Sequence, residues 1–233
     1  MIFQQNNYNY WQFLGNVMHE LREPLHAVGG FVYLLHHDAQ IPELLDDERH
    51  DLLRRSERGI SQVQQMVNTV VNLSYYVVRQ EVERSDKVLV NALCLGLRDE
   101  QEQEVLFRSD VPDYYAVKTN RECLQTVLRI LLRQAVNRVW QKSRFAGDDH
   151  VYLIVTERGE KGKLTFSVSD NGQPEPVADL RRLFFLPAEK DAQRTVERTE
   201  FLLCCRLVEL LGGFLYIDPE FRDGRRVVFQ VAL

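Results

Sequence analysis

Two stripes of apolar residues at helical spacing limit what this 233-residue chain can fold into. From Tyr10 to about Asp38, Leu14, Val17, Leu21, Leu25, Val28, Val32 and Leu35 recur in steps of three and four. That spacing draws one apolar face along a long helix. Ile41-Pro42 interrupts it, because proline disfavours helix at the residue before it. A second run starts near Pro42–Leu45 and continues through Leu53, Ile60, Val63, Val67, Val70 and Val77. Between these positions lie Arg54, Arg55, Glu57, Arg58, Gln62 and Gln64, which can face water. The pattern predicts an antiparallel helical hairpin. Two helices alone cannot cover such stripes, and the simplest remedy is a four-helix bundle made by two copies about a two-fold axis. A homodimer through residues 8–80 is therefore expected.

After Ser85 the pattern becomes mixed, which sets the expected domains at 1–84 and 85–233. Val105–Arg108 and Tyr115–Lys118 are short strand candidates flanking the Val111-Pro112-Asp113 turn. Arg121–Lys142 reads as a helix, with Leu124, Val127, Leu128, Leu131, Leu132, Ala135 and Val139 on its apolar side. Val151–Thr156 and Leu164–Val168 alternate around Arg158-Gly159-Glu160-Lys161-Gly162, a hairpin signal. A helix from about Thr199 to Leu211 stops at Gly212-Gly213, and Phe214–Ile217 and Arg226–Ala232 pair as closing strands. The fold class is α+β: a helical hairpin followed by an α/β sandwich.

Composition removes several function classes. The net charge of −5 argues against general nucleic-acid binding, which leaves a strongly basic footprint. Apolar stretches such as Phe31–Leu35 and Phe201–Cys205 fall far short of the roughly 20 residues that span a bilayer. The first residues, MIFQQNNYNYWQF, lack the basic start and apolar centre of a signal peptide. Cys94, Cys123, Cys204 and Cys205 show no paired spacing, so no metal site is expected and all four read as reduced core thiols. A cytoplasmic location follows as an expectation.

His19 sits two residues after Val17, about 200° round the helix, so it points away from the apolar stripe. An exposed imidazole is a nucleophile and proton carrier near neutral pH, and Glu20 beside it could orient the ring or take its proton. Pro24 removes a helical hydrogen bond one turn later and should bend the helix there. Standing alone, an exposed histidine is most often a solvated side chain, and His26, His36, His37 and His50 are read that way.

The string HELREPLHAVGGF around His19 resembles the phosphoacceptor box of sensor histidine kinases. His19, Glu20, Leu21, Arg22, Pro24, Leu25, Gly30 and Phe31 all fall in place. The resemblance implies a dimeric helical hairpin followed by a histidine-kinase and Hsp90-like ATPase domain, with His19 as phosphoacceptor. It also implies that Arg22 and Glu23 face the receiver domain of a response regulator. Glu23 stands where such kinases carry Thr or Asn to position water for dephosphorylation. A carboxylate would repel the phosphoryl group by about 1 to 4 kcal/mol, which argues against phosphatase activity.

The same resemblance makes Arg121–Lys142 the helix that supplies a Mg²⁺-coordinating Asn, but Gln134 stands there, and Asn137 replaces a lysine three residues on. The Asp-x-Gly-x-Gly box reads Asp170-Asn171-Gly172-Gln173-Pro174. Asp170, the family's adenine-reading carboxylate, survives with Gly172, whereas Pro174 fixes φ and removes a donor. Without the family, Asp-Asn-Gly is a good turn after a strand. Val196-Glu197-Arg198-Thr199-Glu200-Phe201 aligns with the glycine-rich lid, although triphosphate needs backbone N–H groups free to close on it. Pro187–Glu200 reads as a charged, mobile loop.

The leading expectation is thus a two-component phosphorelay protein that transfers phosphoryl groups through His19, without binding ATP. Mg²⁺ would come with the receiver, and no cofactor would sit on this chain. The alternatives are an active, divergent ATP-dependent histidine kinase, using Asp170, Gln134 and local arginines, and a non-catalytic signalling scaffold.

Overall fold

A computed structural model describes residues 22, 25–34, 46–101, 105–142, 150–157, 162–174, 176 and 195–232. These residues fall into two compact units, one holding the helical residues up to Ser74 and the other most of the chain from Tyr75 onward.

In the first unit, residues 25–34 (α1) and Asp46–Val77 (α2) are helical. The second helix divides the apolar stripe that its sequence predicts as one. Leu52, Ser56, Val63, Met66, Val70 and Leu73 form an inward face of buried and half-buried side chains. About a quarter turn away, Leu53, Ile60, Val67 and Val71 are 48, 44, 42 and 60 % exposed. Leu25, Val32 and Leu34 on α1 are exposed too. The buried hydroxyls of Ser56 and Thr69 are satisfied within the helix, each donating to the carbonyl four residues back, Leu52 O and Gln65 O.

The second unit carries a two-stranded antiparallel sheet and a five-stranded sheet. Its elements are β1 (Asp86–Leu89), α3 (Val90–Asp99), β2 (Val105–Ser109), β3 (Ala116–Thr119) and α4 (Arg121–Lys142). They are followed by β4 (Val151–Thr156), β5 (Lys163–Asp170), α5 (Thr195–Leu210, counted in this unit from Glu200), β6 (Leu215–Ile217) and β7 (Arg225–Ala232). The larger sheet has the order β2-β4-β5-β7-β6, parallel between β2 and β4 and antiparallel elsewhere. Helix α4 packs on β4 and β5, and α3 packs on α4 and β2. Alternation along the strands turns Leu153, Val155, Leu164, Phe166, Val168, Phe229 and Val231 into the core. Phe166 and Phe229 are register partners whose rings stack with centroids 4.8 Å apart.

Several sequence expectations hold, among them the α4 bounds, the β4–β5 and β6–β7 pairings, and the stop at Gly212-Gly213. There Gly213 N donates to Val208 O and Gly212 N to Glu209 O, with Gly212 at φ +75°, a Schellman cap. Others need correction. The strands around Val111-Pro112-Asp113 belong to different sheets, since β2 pairs with β4 and β3 with β1. β1 and α3 carry no sequence signal strong enough to find, and Leu89 at the α3 N-cap makes no side-chain cap bond. Helix α5 starts at Thr195, a turn before the expected Thr199. Arg198, Thr199 and Glu200 are polar yet buried, so the apolar period is broken where the helix is not.

Candidate functional site

On α4, Leu131, Gln134, Ala135 and Arg138 are spaced by three, one and three residues and so share a helix face. They meet Val168 and Asp170 at the end of β5 and Arg225 and Val227 at the start of β7. Strand register does the rest, because Asp170 pairs with Arg225 in the β5–β7 ladder. The cavity between these side chains measures about 10 Å³, space for roughly one water molecule. Small-molecule sites commonly offer about 300 Å³ or more.

Asp170 is 3 % exposed and is held by two donors. Arg138 Nε lies 3.4 Å from Oδ1 and 3.3 Å from Oδ2, and Gly172 N donates to Oδ1 at 2.9 Å. The same guanidinium reaches past the carboxylate, where Nη2 donates to Gln173 O at 2.7 Å. Burial raises the Asp170 carboxyl above its ordinary value, and Arg138, the Gly172 N–H and Arg225 oppose that rise. A Cβ on Gly172 would lie 2.7 Å from Asp170 Oδ1 and 3.2 Å from Arg138 Cβ, so the Asp-Asn-Gly turn is pressed against α4 as well as bonded to it.

A second polar cluster lies one turn back along α4. Glu200 on α5, 2 % exposed, accepts Arg133 Nη2 at 2.6 Å on Oε1 and Gln134 Nε2 at 2.9 Å on Oε2. Arg225, 3 % exposed, lies with its guanidinium carbon 5.6 Å from the Phe201 ring centre.

Of the residues singled out from sequence, Gln134, Asp170 and Gly172 come together here. Asn137 does not: it points to solvent on the next face of α4 and does not line the cavity. Arg22 is helical and exposed. His19, Glu20 and Glu23 lie outside the described residues. Residues 195–201 form the first turns of α5, not a loop, and Glu200 is an interior ion-pair partner there. Sequence reasoning missed Arg138, Arg133 and Arg225. The position of Arg138, four residues after Gln134, was the available clue, since i and i+4 share a face.

All four cysteines are free and buried, and burial pushes the Cys94 and Cys205 thiols up to about 12 and Cys204 well above its ordinary value. Among the described residues no cluster of three His, Cys, Asp or Glu could hold a metal ion, and no helix is long and apolar enough to cross a membrane.

Comparison with known proteins agrees with this architecture. Residues 12–75 match the His Kinase A (phospho-acceptor) domain. Residues 119–233 match the histidine kinase-, DNA gyrase B- and HSP90-like ATPase family. The chain belongs to the sensor histidine kinase family. In histidine kinase terms, α1 and α2 lie in the phosphoacceptor region, and the cavity lies in the ATPase region. The membership carries two-component signalling with it.

Sensor histidine kinase YcbM of Bacillus subtilis is 24% identical over 242 residues, covering 99% of this chain and 73% of that protein. The autoinducer 2 sensor kinase/phosphatase LuxQ of Vibrio cholerae is 24% identical over 95% of this chain but only 26% of its own length. The chain thus spans about three quarters of one relative and about a quarter of the other. Among histidine kinases of known structure, AdeS of Acinetobacter baumannii superposes with a TM-score of 0.66 at 14% identity, covering 92% of this chain and 97% of its own. ThkA, in complex with response regulator protein TrrA, superposes at 0.65 and 17% identity, covering 95% and 61%. At these identities the likeness concerns the fold.

Proposed function

We propose that this chain is a histidine phosphotransfer protein that moves phosphoryl groups through His19, to or from the aspartate of a response-regulator receiver, without using ATP itself. The observation that carries the reading is the capture of Asp170 by Arg138 over a cavity of about 10 Å³. A nucleotide would need that carboxylate and far more room. Two further features favour the same reading. Gln134 is one methylene longer than the Mg²⁺ ligand the family carries there and is tied through its Nε2 to Glu200, and residues 195–201 are helical where the family has a glycine-rich lid. On this reading the described residues around Asp170 do not suit Mg·ATP.

In the forward step an imidazole nitrogen of His19 attacks the phosphorus of the receiver's aspartyl phosphate. The new N–P bond forms as the P–O bond to aspartate breaks and the carboxylate leaves. Glu20 holds or accepts the proton on the other ring nitrogen, keeping the attacking one basic. Arg22, exposed on its helix, is suited to orient an acidic receiver. Mg²⁺ would belong to the receiver, and Glu23 disfavours hydrolysis there by like-charge repulsion. Two copies would assemble through the exposed row Leu53, Ile60, Val67 and Val71, which a single chain leaves in water. The domain division near residue 84 belongs to the same proposal.

The test compares the purified chain with His19→Ala. Incubation with labelled Mg·ATP should label neither protein, whereas a phosphorylated receiver should charge the wild type alone. ATP-dependent label on the wild type would make the chain an active, divergent kinase. Failure of every phosphorylated receiver to charge His19 would leave a signalling scaffold.

A further inference from the structure

The Arg138 side chain crosses from α4 to the turn after β5 and lines one cavity together with Leu131 and Ala135 from the helix and Val168 and Val227 from the sheet. At the far end it donates to both carboxylate oxygens of Asp170 and to Gln173 O. An apolar slot that ends in a buried acceptor suits a flat ring carrying an exocyclic amino group, whose N–H donors resemble those of a guanidinium. We infer that Arg138 acts as a built-in occupant of this slot, and that it is the specificity-determining residue that keeps an aminopurine base out. The inference rests on the reading of the cavity as a closed nucleotide-type site, and it goes further by assigning the closure to one side chain. The missing lid glycines bear on a triphosphate, which needs backbone N–H groups. They do not bear on a base at Asp170. The 13 % exposure of the Arg138 side chain against 3 % for Asp170 puts the arginine at the mouth and the carboxylate at the floor.

The decisive experiment titrates the full chain with adenosine and, separately, with inosine, which replaces the 6-amino donor by a carbonyl. Ligand-observed NMR or calorimetry reads binding for wild type, Arg138→Ala, and Arg138→Ala combined with Asp170→Asn. Wild type should bind neither nucleoside. Arg138→Ala should bind adenosine at least about tenfold more tightly than wild type and roughly tenfold to a hundredfold more tightly than inosine, the worth of one hydrogen bond to a charged acceptor. The double variant should lose both the gain and the discrimination. Should Arg138→Ala fail to fold, Arg138→Gln carries the same test with the same expected gain, since it keeps a polar side chain on α4 but brings no cation to Asp170 and is too short to bridge to Gln173 O. A folded Arg138 variant with no gain in adenosine affinity overturns the inference and leaves the ATP-independent relay standing. Binding of adenosine by wild type that Asp170→Asn abolishes overturns both, because the slot would then be open with Arg138 in place.

Discussion

The side-chain amide of Gln134 donates to Glu200 Oε2 at 2.9 Å, so the residue at the expected metal-ligand position of α4 is tied to a buried carboxylate of α5. Arg133 completes the cluster from the adjacent position at 2.6 Å. A carboxylate 2 % exposed and held from two sides is costly to remove, because the buried Gln134 amide loses its acceptor and the half-exposed Arg133 loses its counter-charge. Glu200→Ala should lower unfolding stability by about 3 kcal/mol and Glu200→Gln by about 1 to 2 kcal/mol. Urea denaturation of both variants checks this, and an unchanged midpoint for Glu200→Ala would contradict the placement of the carboxylate inside.

Asp170 gives a pH signature of definite sign. Burial raises its carboxyl above the ordinary value of 3.8 in the folded state, while Arg138, Gly172 N–H and Arg225 pull it back. A folded value above the unfolded one means that the folded chain holds more proton between the two. The Asp170 contribution to stability is therefore fully present below the unfolded value and is lost as pH rises through the folded value. Taking away Arg138 raises the folded value further and deepens that loss. Arg138→Met should lie close to wild type near pH 4 and fall below it by roughly 3 kcal/mol near pH 7. Unfolding curves for the two proteins that run parallel across this range would deny the pairing.

The row formed by Leu53, Ile60, Val67 and Val71 makes a prediction about assembly. Ile60→Glu or Val67→Glu places a charge where a second copy would bury an apolar side chain. Sedimentation should report dimer for the wild type and monomer for either variant, with the helical circular dichroism of the second unit retained. A wild-type monomer at micromolar concentration would end the dimer reading.

Gly213 sits where α5 gives way to β6, and a Cβ there would lie 1.6 Å from Gln230 O, a backbone atom of β7. The neighbouring strand cannot step aside without breaking its ladder to β5. Gly213→Ala should destabilise the domain by about 2 to 3 kcal/mol. Gly212→Ala, at φ +75° but against the side-chain end of Arg84 rather than backbone, should cost about 1 to 2 kcal/mol. Thermal melts of the pair test the ranking, and a reversed order would place the crowding at the wrong glycine.

Local pattern explains which of these features could be read in advance. The α4 bounds and the Gly212-Gly213 stop follow from periodicity and from glycine chemistry within a few residues. The parallel β2–β4 pairing joins segments about 45 residues apart and leaves no mark at short range. Helix α5 begins early because Arg198, Thr199 and Glu200 are polar residues in buried positions, which hides the apolar period. The stripe on α2 looked single because residues a quarter turn apart share the same three-and-four spacing; only burial separates Val63 and Val70 from Ile60 and Val67.

The sequence alone determined the family, the helical character of the first region, the order of helix and strand through the ATPase region, and the positions of Gln134, Asp170 and Gly172. All of these depend on residue types at fixed short spacings. The tertiary structure decided what those residues hold. Asp170 is paired with a residue 32 positions earlier, and Gln134 with one 66 positions later. Arg138 acquires a role because the turn after β5 closes onto α4 at that point. Helical spacing fixes the face a side chain shares, but which buried charge meets it across the core is set by the packing of distant elements, where desolvation makes each ion find its partner.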